Sequence, residues 1–348
     1  MDDLHIIENR IKNLQKTKQM THTMRLVASL KVHQLERKVS DMALYMRTLR
    51  DFAQNVIATI DEQSDIGALL EMSASSLLKS MMSSKYNPYQ KKNERDMFDF
   101  RGLDNAEGET IEELIVIIGG QHGLAGGFQS ALHELLVRDV QQHRDISAGY
   151  RLLAIGEKGR GIAKGTSVPM IDHIVPPEDA DQACAEIWYK LCEVVCTNQV
   201  KKITVLSHRF YSASRQQPEF TTILPLDAVH GRARRKGQGL LLASRVGEAK
   251  LGEGGVRKVS SIKVENNIPV EPELDKWLGE LLLRVSYANL LQLLRESLAA
   301  EYIQRLHAMT SATNNADELL HDLQLDFQRS RQAKITQDIL DILGGSDL

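Results

Sequence analysis

The chain has 348 residues, 42% hydrophobic and 26% charged, with a formal charge of −3, the composition of a soluble globular protein rather than a disordered one. No run of about 18 uninterrupted apolar residues occurs, so no membrane-spanning helix is expected. The acidic start Met1-Asp2-Asp3-Leu4-His5 is not that of a signal peptide, and three cysteines, Cys184, Cys192 and Cys196, fit a reducing compartment better than a disulfide framework.

The placement of helix breakers divides the chain. All 8 prolines lie between Pro88 and Pro272, the first glycine is Gly67, and none of the 23 glycines falls between Glu280 and Leu343. Two breaker-free ends therefore flank a middle that contains Gly and Pro. In the first end, Leu35, Val39, Met42, Met46, Leu49, Ala53, Val56 and Ile60 step by four and three. That is the seam of a coiled coil. Followed backwards, the register reads Val32, Ala28, Arg25, Thr21, Lys18, Leu14, Ile11 and Ile7, apolar at both ends and polar at three successive positions. A helix of this length would extend roughly 90 Å at 1.5 Å per residue. Eight Lys and Arg between Asn9 and Lys38 face a single acid, Glu36. Such a basic stretch is compatible with nucleic acid. It has no aromatic side chains for base stacking, and a solvated or protein-contacting face is the plainer reading.

The middle begins with a polar stretch, 83–109, that has the character of an insertion. Residues 113–118, Glu-Leu-Ile-Val-Ile-Ile, form a short apolar run that predicts a buried parallel strand. The turn Gly119-Gly120-Gln121-His122-Gly123-Leu124-Ala125-Gly126-Gly127 follows it and opens a helix expected over 128–140. Phosphate-binding loops occupy this place in α/β folds, but the turn matches neither G-x-x-x-x-G-K-[ST] nor G-x-G-x-x-G. Strands are expected at 151–155, 170–175, 202–208 and 220–226, with a helix over 178–197. Strand and helix alternating in this way predict a mostly parallel, Rossmann-like sheet covered on both faces. The glycine-rich Gly156-Glu157-Lys158-Gly159-Arg160-Gly161 matches no phosphate signature. Cys192 and Cys196, with His208 nearby in sequence, lack the paired spacing typical of zinc, and core cysteines are the simpler reading. Residues 230–259 carry eight basic and two acidic residues among many glycines, a second candidate insertion. No nucleophile elbow, zinc-protease motif or carboxylate pair emerges, so the residues point to a mechanical or interaction protein with no cofactor or metal.

In the last segment, Tyr302, Leu306, Met309, Thr313, Ala316, Leu320, Leu323 and Phe327 repeat the four-and-three step. The two seams can bury one another, and because the middle returns the chain, the pairing is expected to be antiparallel. Periodicity alone leaves open an ordinary helical bundle.

The ends also carry a family likeness. The run 11–31, Ile-Lys-Asn-Leu-Gln-Lys-Thr-Lys-Gln-Met-Thr-His-Thr-Met-Arg-Leu-Val-Ala-Ser-Leu-Lys, closely resembles the opening helix of the gamma subunit of F-type ATP synthases. Residues 305–316 resemble its R-M-x-A-M-x-x-A-T-x-N-A, residues 331–339 its R-Q-A-x-I-T-Q-E-I, and residues 120–128 its S-D-R-G-L-C-G-G-[FY] turn. Gln121-His122 stand where that family has Asp-Arg, Ala125 where it has Cys, and Asp338 where it has Glu.

The resemblance implies a shaft helix over 1–66, a linker with a polar insertion over 67–112 and an α/β domain over 113–228. A basic insertion over 229–262 and a second shaft helix over 263–348 complete the expected division. It implies a non-catalytic rotor stalk, on the cytoplasmic face of a bacterial inner membrane, in a proton- or sodium-transporting complex. The partners would be the alpha and beta subunits, the epsilon subunit and the membrane c-ring, with no nucleic acid. By the same resemblance, Lys18, Met24, Arg25, Lys31, Arg331, Gln332 and Thr336 would touch partners, and residues 339–343 would sit in an apolar sleeve. Two other readings of the residues are a nucleotide-binding α/β enzyme using the 119–127 turn and a nucleic-acid-binding coiled coil.

Overall fold

The computed structural model describes residues 2–60, 110–142, 149–177, 179–224 and 274–344. The candidate insertions at 83–109 and 230–259 lie outside the described residues. The elements in chain order are α1 (Asp2–Ile60), β1 (Thr110–Ile118), α2 (Phe128–Gln142), β2 (Tyr150–Ile155), α3 (Glu157–Lys164), β3 (Met170–Ile174), α4 (Ala180–Thr197), β4 (Gln199–Ser212), β5 (Arg215–Leu224) and α5 (Leu274–Gly344). The contacts divide them into two compact units. Of the described residues, one gathers those up to 34, those at 124–126 and those from 301 onward; the other gathers those within 35–123 and 127–300.

In the first unit α1 and α5 run antiparallel. Thr21 meets Thr313 with hydroxyl oxygens 3.1 Å apart, and Lys18 pairs with Asp317 one turn further on. The two hydroxyls also face carbonyls of their own helices, Lys18 at 3.0 Å and Met309 at 2.7 Å. Met309, Thr313, Ala316 and Leu320 are buried, whereas Leu306, Leu323 and Phe327 are half-buried. Ile7, Ile11, Leu14, Lys18, Thr21 and Arg25 are half-buried, and Ala28 and Val32 are buried. The seam positions expected from the heptad step are thus the shielded ones.

The second unit is built on a five-stranded sheet in the order β3-β2-β1-β4-β5. β1 pairs in parallel with β2 on one side and β4 on the other, which makes the apolar run 114–118 central and buried on both faces. β5 is antiparallel to β4 and returns through a tight turn at Ala213-Ser214. The strand expected at 202–208 therefore begins at Gln199 and runs on to Ser212, and its partner begins at Arg215. Pro218, which cannot complete a ladder, is tolerated because β5 lies at the sheet margin.

α4 opens at Asp179, whose carboxylate accepts the Gln182 N–H at 3.3 Å, and it buries Cys184, Ile187, Trp188, Leu191 and Val195. α5 is apolar nearly all round between Leu281 and Leu294, and packs these side chains with α4 and the sheet into one core. Residues 35–53 of α1 continue the expected seam here. Leu35, Val39, Met42, Met46 and Ala53 are buried, and Met42 and Met46 cluster with Ala288 of α5.

α3 is an element that the sequence pattern did not announce, since the glycine-rich Gly156–Gly161 is mostly helix. Gly156 has φ +81°, a conformation that favours glycine, and precedes the first turn. A Cβ on Gly119 would lie 2.2 Å from the backbone nitrogen of Gly159, so the end of β1 and the start of α3 touch main chain to main chain. The Lys158 N–H donates to the Gly120 carbonyl at 3.1 Å, and Gln121 reaches the carbonyl of Pro176.

Candidate functional site: the faces of the terminal helices

The place where an α/β fold would hold a phosphate is taken up by its own backbone. The Gly119-Gly120 turn and the first turn of α3 fill the space at the ends of β1 and β2. The cysteines are equally committed to the core. All three are buried; burial pushes the Cys184 thiol up to about 12 and raises that of Cys192 too, so neither supplies a thiolate. His208 stacks on Phe128 at 4.2 Å between ring centroids, and its Nε2 donates to the Phe128 carbonyl at 2.8 Å. Burial holds its imidazole below the ordinary histidine range.

What the first unit presents instead is a pair of helix surfaces. Lys18 is half-exposed and engaged with Asp317. Arg25 occupies a seam position and is half-buried. Met24 and Lys31 are exposed on the flank of the α1 seam. With them at helical spacing stand Met20 and Val27, both more than half exposed, and beside these Leu26 and Leu30, at 67% the most exposed of the set. Sequence reading did not single out this apolar stripe, although 20, 24, 27 and 31 follow the same four-and-three step as the seam. An exposed helix side with this many large apolar groups is unusual for a surface facing only water.

Arg331, Gln332 and Thr336 are all exposed, and the Thr336 hydroxyl donates to the Gln332 carbonyl at 3.0 Å within its own helix. Every residue from Arg331 to Leu340 is exposed, including Ile335, Ile339 and Leu340. The expected site residues form two groups rather than one. Because Thr21 lies level with Thr313, Met24 stands level with α5 about 20 residues, or about 30 Å, from Arg331. A groove of about 540 Å³ lies between them, lined by Lys18, His22, Asp317 and His321 together with Gln15 and Gln324. Among the described residues, no helix is long and apolar enough to cross a membrane.

A family model described as ATP synthase matches residues 3–347, nearly the whole chain. The chain belongs to the ATP synthase gamma family. Among its relatives, the ATP synthase gamma chain of Prochlorococcus marinus (strain MIT 9312) is 26% identical over 356 residues, covering 99% of each chain. That of Clostridium beijerinckii is 24% identical over 342 residues, covering 98% of this chain and 96% of the relative. A chain in the structure of Euglena gracilis mitochondrial ATP synthase (OSCP/F1/c-ring, rotational state 3) shares the fold. Its TM-score is 0.55 at 14% identity, over 98% of this chain and 92% of the other. Family membership and fold agree with the expected architecture of long helical termini plus a mostly parallel sheet, here of five strands.

Proposed function

We propose that this gamma-family chain is the central rotor stalk of an F-type ATP synthase, and that its own surfaces, not an active site, do its work. The observation that carries this reading is the antiparallel seam of α1 and α5, in a chain matched by the family model from residue 3 to residue 347. Two different helices paired in this way have no rotational symmetry. Set inside a ring of alternating alpha and beta subunits, the pair offers each of three beta subunits a different face. Each catalytic site then has a different nucleotide affinity, and turning the stalk passes those affinities around the ring.

The contacts needed are many and individually weak, since a rotor must release each neighbour in turn. Exposed ion pairs are worth only about 0–1 kcal/mol each, and they guide orientation more than they hold. Lys31 and Arg331 are suited to this, Lys18 and Arg25 less so because they already serve the seam. Met24, with the apolar stripe around it, supplies contact area without charge. Gln332 and Thr336 lie on the surface of the far end of α5, where Ile339 and Leu340 would enter an apolar sleeve. The α/β unit would carry the epsilon subunit and stand on the c-ring, at the cytoplasmic face of a bacterial inner membrane, and the chain would hydrolyse no ATP itself.

The test is assembly. The purified chain mixed with alpha and beta subunits should form a complex whose ATPase depends on it, while the chain alone shows no turnover. A chain that neither joins those subunits nor changes their ATPase would sink the reading.

A further inference from the structure

The rotor reading leaves open how force crosses from the sheet into a helix. Apolar packing joins α5 to the sheet and α4 through Leu281, Leu290, Leu293 and Leu294. That packing favours a set of helix orientations but carries no directed bond across the interface. Two adjacent residues of α5 add directed contacts. Arg295 Nη2 lies 2.5 Å from Asp181 Oδ1 at the start of α4. Glu296 Oε2 lies 3.1 Å from Arg209 Nε and accepts the Phe210 backbone N–H at 3.3 Å, both on β4. Gln292, one turn earlier, donates to Glu296 Oε1 at 2.6 Å and braces it.

Neighbouring residues on an α-helix project about 100° apart. The two carboxylate–guanidinium contacts therefore grip α5 from two directions, on two different elements, with opposite charge order. Helix α1 takes part as well. Burial and, after it, the positive charge of Arg209 both lower the pKa of its Arg50. The Glu296 side chain is only 4% exposed. Burial raises its carboxyl above the ordinary range despite Arg209, so the charge is held there at a net cost in stability. Directional fixing is the use best suited to a buried pair that does not stabilise.

We propose that Arg295 with Asp181 and Glu296 with Arg209 form a torque key, positioning α5 against the α/β domain so that the helix cannot turn about its own axis when the domain is driven. The proposal rests on the rotor reading and adds the element through which force is passed. Without the key, the α/β domain slips on α5, and hydrolysis continues without driving ions.

The experiment uses the full chain assembled with alpha, beta, epsilon, c-ring and stator subunits in sealed vesicles, reading ion pumping per ATP hydrolysed. Arg295→Asp and Asp181→Arg should each lower that ratio several-fold while ATP hydrolysis persists, and the double charge swap should restore it. Glu296→Gln, which keeps an acceptor for the Phe210 N–H but loses the charge, should lower the ratio in complexes that still assemble. Single variants that pump like the parent chain, or a double swap that folds and assembles but restores nothing, would overturn the key and leave the rotor reading standing. A parent chain that fails to join the alpha and beta subunits would overturn the rotor reading and the key together.

Discussion

Gly119 and Gly161 lie close to the same short helix but differ in what surrounds the missing side chain. A Cβ on Gly119 would lie 2.2 Å from the Gly159 nitrogen, whereas one on Gly161 would meet nothing within 4 Å. Gly119→Ala forces two backbones apart, an overpacking cost of about 1–3 kcal/mol. Gly161→Ala, on an exposed helical position, should gain about 0.5–1 kcal/mol from the unfolded chain's lost freedom. Urea unfolding of the two variants should therefore shift in opposite directions. His208 carries a second residue-scale consequence. Its imidazole in the fold sits below the ordinary value of 6.5, because burial penalises the charged ring. As pH falls through that value, the unfolded chain takes up a proton that the folded chain resists, so stability drops on the acid side. Urea midpoints measured between about pH 7 and 5 should fall less steeply in His208→Gln, which can still donate to the Phe128 carbonyl.

At the scale of elements, the α1–α5 seam was readable from spacing alone, because a heptad repeat places the same face inward at every turn. The buried positions Val32, Leu35, Val39, Met42 and Met46 on α1, and Met309, Thr313, Ala316 and Leu320 on α5, are the ones the step singles out. The central strand was readable for a similar reason, since 114–118 is apolar on both faces. Helix α3 was not, because three glycines in six residues argue against a helix unless a neighbouring backbone needs the room. The turn at Ala213-Ser214 carries no Asn-Gly or Gly signal, so the full hairpin reach of β4 and β5 was also hidden. The seam predicts how it will respond to change. Ala316→Leu adds bulk to a buried seam position and should cost about 1–3 kcal/mol. Lys18→Ala removes only a half-exposed ion pair and should cost about 0–1 kcal/mol. Thermal unfolding followed by circular dichroism separates the two.

At the scale of the whole molecule, the family likeness was carried by four motifs, spread from residue 11 to residue 339. The directed ion pairs were not legible, because nothing in a string says that Glu296 will meet Arg209 across 87 positions of chain. The apolar stripe at Met20, Met24 and Val27 was hidden because apolar residues at four-and-three spacing look the same whether their face is covered or exposed. Arg331 offers the test at this scale. Its side chain is exposed and supports no packing within the chain, so Arg331→Glu should leave the unfolding midpoint unchanged. In the assembled ATPase the same change should lower turnover if Arg331 serves the partner contact proposed above, because a reversed charge would oppose it. Unchanged turnover would remove Arg331 from the contact surface.

The bare end of α5 has one more consequence. From Arg331 to Leu340 no side chain is shielded, so these turns rest on local propensity alone, and short helices without a buried face are marginal in water. Their amide hydrogens should trade with deuterated solvent far sooner than those of the central strands. Enclosure by neighbours should slow that exchange, so the last turns of this chain would settle only in company.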